Sequence, residues 1–237
     1  MRVALIRVGI DTGAGGIHAP LFADGTFEYI PIPDCSGVDT RTYGTLTGRR
    51  GRPLCDYFPR TRQARMVRQP VHVDPEFGTF TYGDPGVPKS GLRHLRPGDL
   101  LIFFSGLEGW DHVAAPALYL LGYFEVAAAG RARDFTERER RTLFGENFHV
   151  RHECVYRQQE DRLVLVKGSP DSWLFERAVP ISEAGRTRTG KPLKVLSREM
   201  QAIFGGFDGR LSFQRSPTRW VDPAFVERAA AFVRSLK

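Results

Sequence analysis

Arg96-Pro97-Gly98-Asp99-Leu100-Leu101-Ile102-Phe103-Phe104-Ser105-Gly106 is a turn that runs straight into an apolar strand. After a loop holding Glu108, Trp110, Asp111 and His112, the chain returns as Ala117-Leu118-Tyr119-Leu120-Leu121-Gly122-Tyr123-Phe124-Glu125-Val126. Two buried-type strands joined by a polar loop predict a hairpin or meander within a closed sheet or barrel. Gly122 inside the second strand predicts a bulge or a bend, because an interior glycine packs no side chain.

Working outward, the N-terminus repeats the strand-and-turn pattern. Val3-Ala4-Leu5-Ile6-Arg7-Val8 breaks into Gly9-Ile10-Asp11-Thr12-Gly13-Ala14-Gly15-Gly16-Ile17-His18, and a strand resumes at Phe27-Glu28-Tyr29-Ile30-Pro31-Ile32-Pro33. Glycines tolerate sharp turns and close backbone approach. The loop therefore reads as a ligand-facing one, with Arg7, Asp11, Thr12, Gly13 and His18 around it. It lacks the Lys-Ser/Thr of a phosphate loop, and neither its glycine spacing nor the strand after it fits a dinucleotide fold. The plainer alternative is a tight connection closed by an Asx-turn at Asp11.

Residues 35–70 are polar, glycine-rich and basic, with Arg41, Arg49, Arg50, Arg52, Arg60, Arg62, Arg65 and Arg68. They predict an irregular insertion with a short helix near Arg60–Val67. Tyr43, Tyr57 and Phe58 interleave with the arginines, a pattern that favours contact with nucleic-acid bases or backbone. Next, His72, Asp74, Tyr82 and Asp84 crowd into thirteen residues of turn chemistry. Thr136-x-x-Glu139 is a capping box that predicts a helix over Glu137–Phe144. Ser197–Phe204 predicts another helix. Asp222-Pro223 opens a last one, over about 223–236. Without repeats or long linkers, the expectation is one α+β domain over 1–237, built on a mixed, largely antiparallel sheet or a barrel with peripheral helices.

The chain has 34 Lys and Arg against 27 Asp and Glu, a formal charge of +7, which favours an anionic partner. Its three cysteines, Cys35, Cys55 and Cys154, form no CxxC pair. That argues against a structural zinc site and fits free thiols in a cytoplasmic protein. No signal-peptide pattern and no apolar run of spanning length occur, so no membrane role is expected.

The Gly-Asp turn, its apolar strand and Leu121-Gly122-Tyr123-Phe124-Glu125-Val126 resemble the PUA-like barrels of the EVE and ASCH groups. Over its whole length the chain resembles the nucleotide modification associated domain 3 family. The matching pieces are Arg7–Gly13, Phe22–Pro33, Asp74-Pro75-Glu76-Phe77, Thr81-Tyr82-Gly83-Asp84, Asn147-x-His149, Val166-Lys167-Gly168-Ser169 and Arg215-Ser216-Pro217. This resemblance implies a link to modification of nucleic-acid bases. Trp173 stands where the family pattern has an arginine, so the resemblance implies no phosphate contact there.

The chemistry these residues support is a pocket for a nucleotide or an extruded base, near the glycine-rich loop. Such a pocket needs aromatic faces and polar groups that read base edges. Trp110, Tyr82, Phe104 and Trp173 are aromatic candidates. Asp11, Asp74, Asp84 and Asn147 are edge readers, Arg7, Lys167 and Arg215 are phosphate partners, and Ser169 sits beside Lys167. An enzymatic version uses Asp11 with His18 or His149 as general acid and base. The third alternative is a non-catalytic interaction scaffold. No cofactor is identified and no metal site is assigned. His72/Asp74, Asp111/His112 and His149/His152 are adjacent ligand types, but Val150 and Val155 predict a strand, which would turn His149 and His152 to opposite faces.

Overall fold

Val3–Arg7 (β1) is apolar on both faces, and alternation decides which layer each residue enters. Val3 and Leu5 pack into one apolar core, and Ala4 and Ile6 into another. A strand without a polar face must be covered on both sides, so it lies inside the sheet. The computed structural model describes residues 1–213 and 217–237. After β1 come Ala19–Leu21 (β2), Ile32–Pro33 (β3), Val71–His72 (β4), Thr81–Asp84 (β5), Leu100–Gly109 (β6), Ala117–Arg131 (β7), Val164–Gly168 (β8) and Trp173–Pro180 (β9). Ser182–Arg186 (β10), Pro192–Leu196 (β11) and Arg219–Trp220 (β12) follow. The helices are Arg60–Met66 (α1), Glu137–Phe144 (α2), Phe148–Arg151 (α3), Glu153–Gln159 (α4), Arg198–Phe204 (α5) and Val226–Arg234 (α6).

The main sheet runs β12-β1-β6-β7-β8-β5, with β2 also paired to β6 and β9 to β7. β1 and β2 lie parallel to β6, and the remaining pairings are antiparallel. The fold is thus α+β on a largely antiparallel sheet. The expected hairpin is β6–β7, with Leu100 opposite Glu125 and Leu107 opposite Ala117. The expected closure into a barrel is not found. Among the described residues β12 and β5 end the sheet and do not pair with each other. The physical reason lies in β6, whose Leu100, Ile102 and Phe104 enter one core while Leu101 and Phe103 enter the other. Both faces are consumed by packing, as in an open, doubly covered sheet, rather than one face filling a barrel interior.

Gly122 sits where strand pairing changes. The far edge of β7 is shared, with β8 along Val126–Arg131 and β9 along Tyr119–Tyr123. The β7–β9 register shifts between Leu120 and Gly122, and a Cβ on Gly122 would lie 2.3 Å from the Trp173 carbonyl oxygen. Only glycine admits β9 this closely. Gly122→Ala is expected to destabilise the protein by about 1–3 kcal/mol in urea unfolding. An unchanged midpoint would show that β9 is not held there.

Buried Asp99 explains the Gly-Asp turn without a ligand. Its carboxylate accepts from the backbone N–H of Arg2 (2.6 Å) and Arg96 (2.8 Å), tying the start of β1 to the turn before β6. The helix starts follow the expected capping. Thr136 and Glu139 bond reciprocally, Ser197 caps α5, and Asp222 caps the turn leading to α6.

Two expectations are corrected. Residues 148–159 are helical, not a strand. Asn147 caps α3 through its side chain, an interaction that offsets the β preference of Val150, and Val155 lies in α4, which begins after an extended His152. In the 35–70 insertion, Tyr43, Tyr57 and Phe58 are buried in the core, and Tyr57 and Phe58 border a cavity beside Trp110. The apolar core claimed the aromatics, and the insertion is wrapped around Glu28.

Candidate active site

β4 ends at His72, and a cis Asp74–Pro75 peptide turns the chain toward β5. The Asp74 carboxylate is buried. Its oxygens accept from the Gly83 N–H at 3.2 and 3.0 Å, and Oδ1 accepts from Asn147 Nδ2 at 3.3 Å. Tyr29 donates its hydroxyl to the Asp74 carbonyl at 2.9 Å. Gly83 is required by this closeness: a Cβ there would lie 2.8 Å from the His149 ring and 2.9 Å from Asn147 Oδ1. Asn147 serves two neighbours with one amide. Its Oδ1 accepts the His149 N–H at 3.1 Å while Nδ2 reaches Asp74.

Two imidazoles meet this carboxylate. His149 Nε2 lies 3.4 Å and His72 Nε2 3.9 Å from Asp74 Oδ2, and the two Nε2 atoms are 3.2 Å apart. Gln159 Oε1, at the end of α4, accepts from His149 Nδ1 at 2.6 Å. The His72 ring stacks on Phe148, with centroids 3.9 Å apart. Burial pushes the Asp74 carboxyl up to about 6 against the pull of His149. Burial takes His72 down to about 3, and His149 beside it adds to that effect. Burial alone would lower His149 too, but Asp74 and Gln159 outweigh it and hold the imidazole above its ordinary range. A carboxylate and two imidazoles displaced from their usual values in one cleft single it out as the candidate site.

The cleft is a cavity of about 250 Å³ between the end of β1, β4, β5 and α3. His72, Asp74, Tyr82, Asp84 and His149 line it, together with Arg7, Gly9, Lys89 and Gln159. Tyr82 donates its hydroxyl to Asp84 Oδ2 (2.8 Å) and accepts from Lys89 Nζ (3.0 Å), and Lys89 lies 3.5 Å from Asp84. Burial and the neighbouring Asp84 and Asp74 raise the Tyr82 phenol far above its ordinary value. At this volume the cavity is below the size of typical drug-like pockets.

The other sequence candidates go elsewhere. Asp11 Oδ1 accepts from the Gly13 and Ala14 N–H groups at 2.8 and 2.7 Å, an Asx-turn, while Oδ2 lies 3.4 Å from Arg7. Thr12, His18 and Trp110 line a second cavity of about 360 Å³. His18 there contacts Glu108 and Lys194, each at 3.3 Å, and is lowered by burial and Lys194. Lys167 donates to the Thr79 carbonyl, and burial lowers its ammonium. Ser169 accepts from the Asp171 N–H in the turn between β8 and β9. Phe104 is core, and Trp173 is exposed on β9. Arg215 lies outside the described residues. The sequence does not single out His72 as a partner of His149, nor Lys89, Gly83 or Gln159. Signals exist for two of them: Gly83 interrupts the Tyr82-Gly83-Asp84 strand, and His72 stands two residues before Asp74.

An α+β scaffold here places a carboxylate against two histidines at the floor of a small cavity. Residues 2–235 match nucleotide modification associated domain 3, and the chain belongs to that family. No curated protein and no solved structure matches it. Among the described residues no helix is long and apolar enough to cross a membrane.

Proposed function

We propose that this cavity receives a nucleotide or an extruded nucleobase, and that Asp74, His149 and His72 supply the acid–base groups that act on it. The observation that carries the reading is the convergence of the buried Asp74 and His149 side chains and the partly exposed His72 on a cavity that Arg7 and Lys89 also line. A binding site without chemistry has no need of a buried carboxyl held near neutrality beside an imidazole; a general acid or base does. The roles assigned to Asp11 and His18 pass to Asp74 and His149, because the Asp11 carboxylate is engaged by the backbone of its own loop. Tyr82 and the imidazoles supply ring faces, and Asp84 supplies an acceptor for a base edge.

The test is equilibrium binding of nucleobases, nucleoside monophosphates and single-stranded oligonucleotides at low salt, with a chelator present. The expected result is binding of at least one of these classes, weakened about tenfold by Tyr82→Phe, which releases the Asp84 and Lys89 contacts. Asp74→Asn should abolish turnover of the bound compound while binding survives. Absence of binding by every class at low salt would overturn the proposal. The exposed Arg52, Arg60, Arg65 and Arg68 favour a second reading, in which the insertion meets a nucleic-acid backbone. That reading requires affinity for oligonucleotides to fall steeply with salt.

A further inference from the structure

The three groups at the floor of the cavity have a geometry that suits a metal ion as well as shared protons. His72 Nε2, His149 Nε2 and Asp74 Oδ2 form a triangle with sides of 3.2, 3.4 and 3.9 Å. Each atom is an electron-pair donor when its group is deprotonated. Metal bonds of about 2.0–2.2 Å to nitrogen and carboxylate oxygen set neighbouring donors about 3.0–3.5 Å apart, for octahedral and tetrahedral centres respectively. Two sides of the triangle fall in that range, and a small rotation of the His72 ring closes the third.

We infer that His72, Asp74 and His149 form a binding site for a single divalent transition-metal ion. The inference rests on the proposed function's cavity; with the ion bound, these three groups hold it instead of acting as acid and base themselves.

The surroundings are those of a prepared ligand set. Gln159 Oε1 accepts from His149 Nδ1, which fixes the proton on Nδ1 and turns the Nε2 lone pair toward the triangle. Metal-bound histidines are oriented by such a partner on the other ring nitrogen. Asp74 Oδ1 accepts from Asn147, the Gly83 N–H is shared between Oδ1 and Oδ2, and it is Oδ2 that faces the imidazoles. Phe148 stacks on the His72 ring and fixes its plane. Two imidazoles and one carboxylate suit zinc, iron or manganese rather than calcium or magnesium, which take oxygen ligands. Three protein ligands leave the remaining positions for water or for an oxygen or nitrogen of the cavity's occupant. The His72 side chain is 20% exposed, so the ion has a path in through the cavity.

No local spacing announces this site, because its ligands come from separate segments. His152, the sequence neighbour that pairs with His149 on spacing, instead lies 3.3 Å from Asp39.

The probe is Co²⁺, added to chelator-stripped full-length protein without nucleotide and followed by visible absorption and calorimetry. One equivalent should bind and give d–d bands. His72→Ala should weaken binding on the order of a hundredfold, and Gln159→Ala about tenfold through loss of orientation. His112→Ala, at the exposed Asp111/His112 pair, should leave it unchanged. Gln159 is at a helix end, so its variant keeps the test open if His72→Ala fails to fold. Circular dichroism reports that failure. The inference is overturned if Co²⁺ does not bind, if both variants bind like wild type, or if a thiolate charge-transfer band places the ion on cysteine. Nucleotide binding in chelator is measured separately, so it can survive the loss of the metal site, and the metal site can survive its absence.

Discussion

Asp74→Asn is expected to cost about 3 kcal/mol of stability at pH 5 in chelator-treated protein, and the cost should shrink as the pH rises to 8. The size follows from breaking a buried pair, which leaves His149 facing an amide that cannot balance its charge. The pH dependence follows from proton linkage. In the wild type, Asp74 is raised to about 6 and His149 is raised as well, so the folded state holds protons more tightly than the unfolded chain. That contribution is present below the unfolded values and is lost as pH climbs through the folded ones. His72, lowered to about 3, works in the other direction: its burial costs stability as the solution becomes more acidic than its ordinary value. In the Asp74→Asn variant His149 loses its main charge partner and burial opposes its protonation against the remaining pull of Gln159 and Asp84, so both imidazoles take up protons less readily and stability rises with pH, by at most about 1.4 kcal/mol per unit for each proton. Urea midpoints at pH 5, 6, 7 and 8 measure the difference. A gap that stays constant, or widens toward pH 8, would mean that Asp74 and His149 do not share protons in the folded protein. Asparagine is the right replacement because it keeps the side-chain volume and can still accept from the Gly83 N–H.

How much of this can be read from residues alone depends on whether the signal is local. The β6–β7 hairpin, the capping box at Thr136 and the helix that opens at Asp222-Pro223 are all legible, because each rests on neighbours within a few positions. The cluster His72, Asp74, Tyr82 and Asp84 is legible for the same reason: one turn carries all four to the cavity. His149 stands out in the sequence, but its partner does not. Asp74 and His149 are 75 positions apart in the chain, and no spacing rule reaches across β5, β6 and β7. The Gly9–Gly16 loop is legible only in part. Glycines clustered after a buried strand do mark close backbone approach, and here part of that approach is internal. A Cβ on Gly15 would strike the Ile10 side chain at 2.3 Å, and a Cβ on Gly16 would lie 2.7 Å from Arg62. Gly9 alone of the four loop glycines lines the cavity. The barrel expectation fails because it weighs the hydrophobicity of the β6 run and not its lack of alternation, which marks a strand covered on both faces.

The arginine-rich insertion supplies the second large effect, through a residue of opposite charge. Glu28→Ala should cost about 3–5 kcal/mol and expose the segment 47–53 to trypsin. Glu28 is 1% exposed, and its carboxylate accepts from the Arg49 N–H (2.7 Å), the Arg50 N–H (2.8 Å) and the Tyr57 hydroxyl (2.9 Å). Gly48 passes so close that a Cβ would fall 2.6 Å from the carboxylate. Removing the acceptor strands three donors in a buried place, each at about 1–3 kcal/mol, with relaxation recovering part of the sum. The arginine side chains then lose their register. Arg49 donates to the Phe175 carbonyl at 2.8 Å, and Arg50 stacks on Phe22 while pairing with Asp24. A basic stretch that looks like a solvated arm is therefore folded around one acid, and the charge excess it displays outward is set by the residues this anchor leaves exposed. Glu28→Gln keeps the shape but turns an N–H₂ toward one of the donors, so its loss should lie between wild type and alanine. Hydrogen exchange at the Arg49 and Arg50 amides should quicken in the same order. Equal protection in all three proteins would show that the insertion is held by its own turns and not by Glu28.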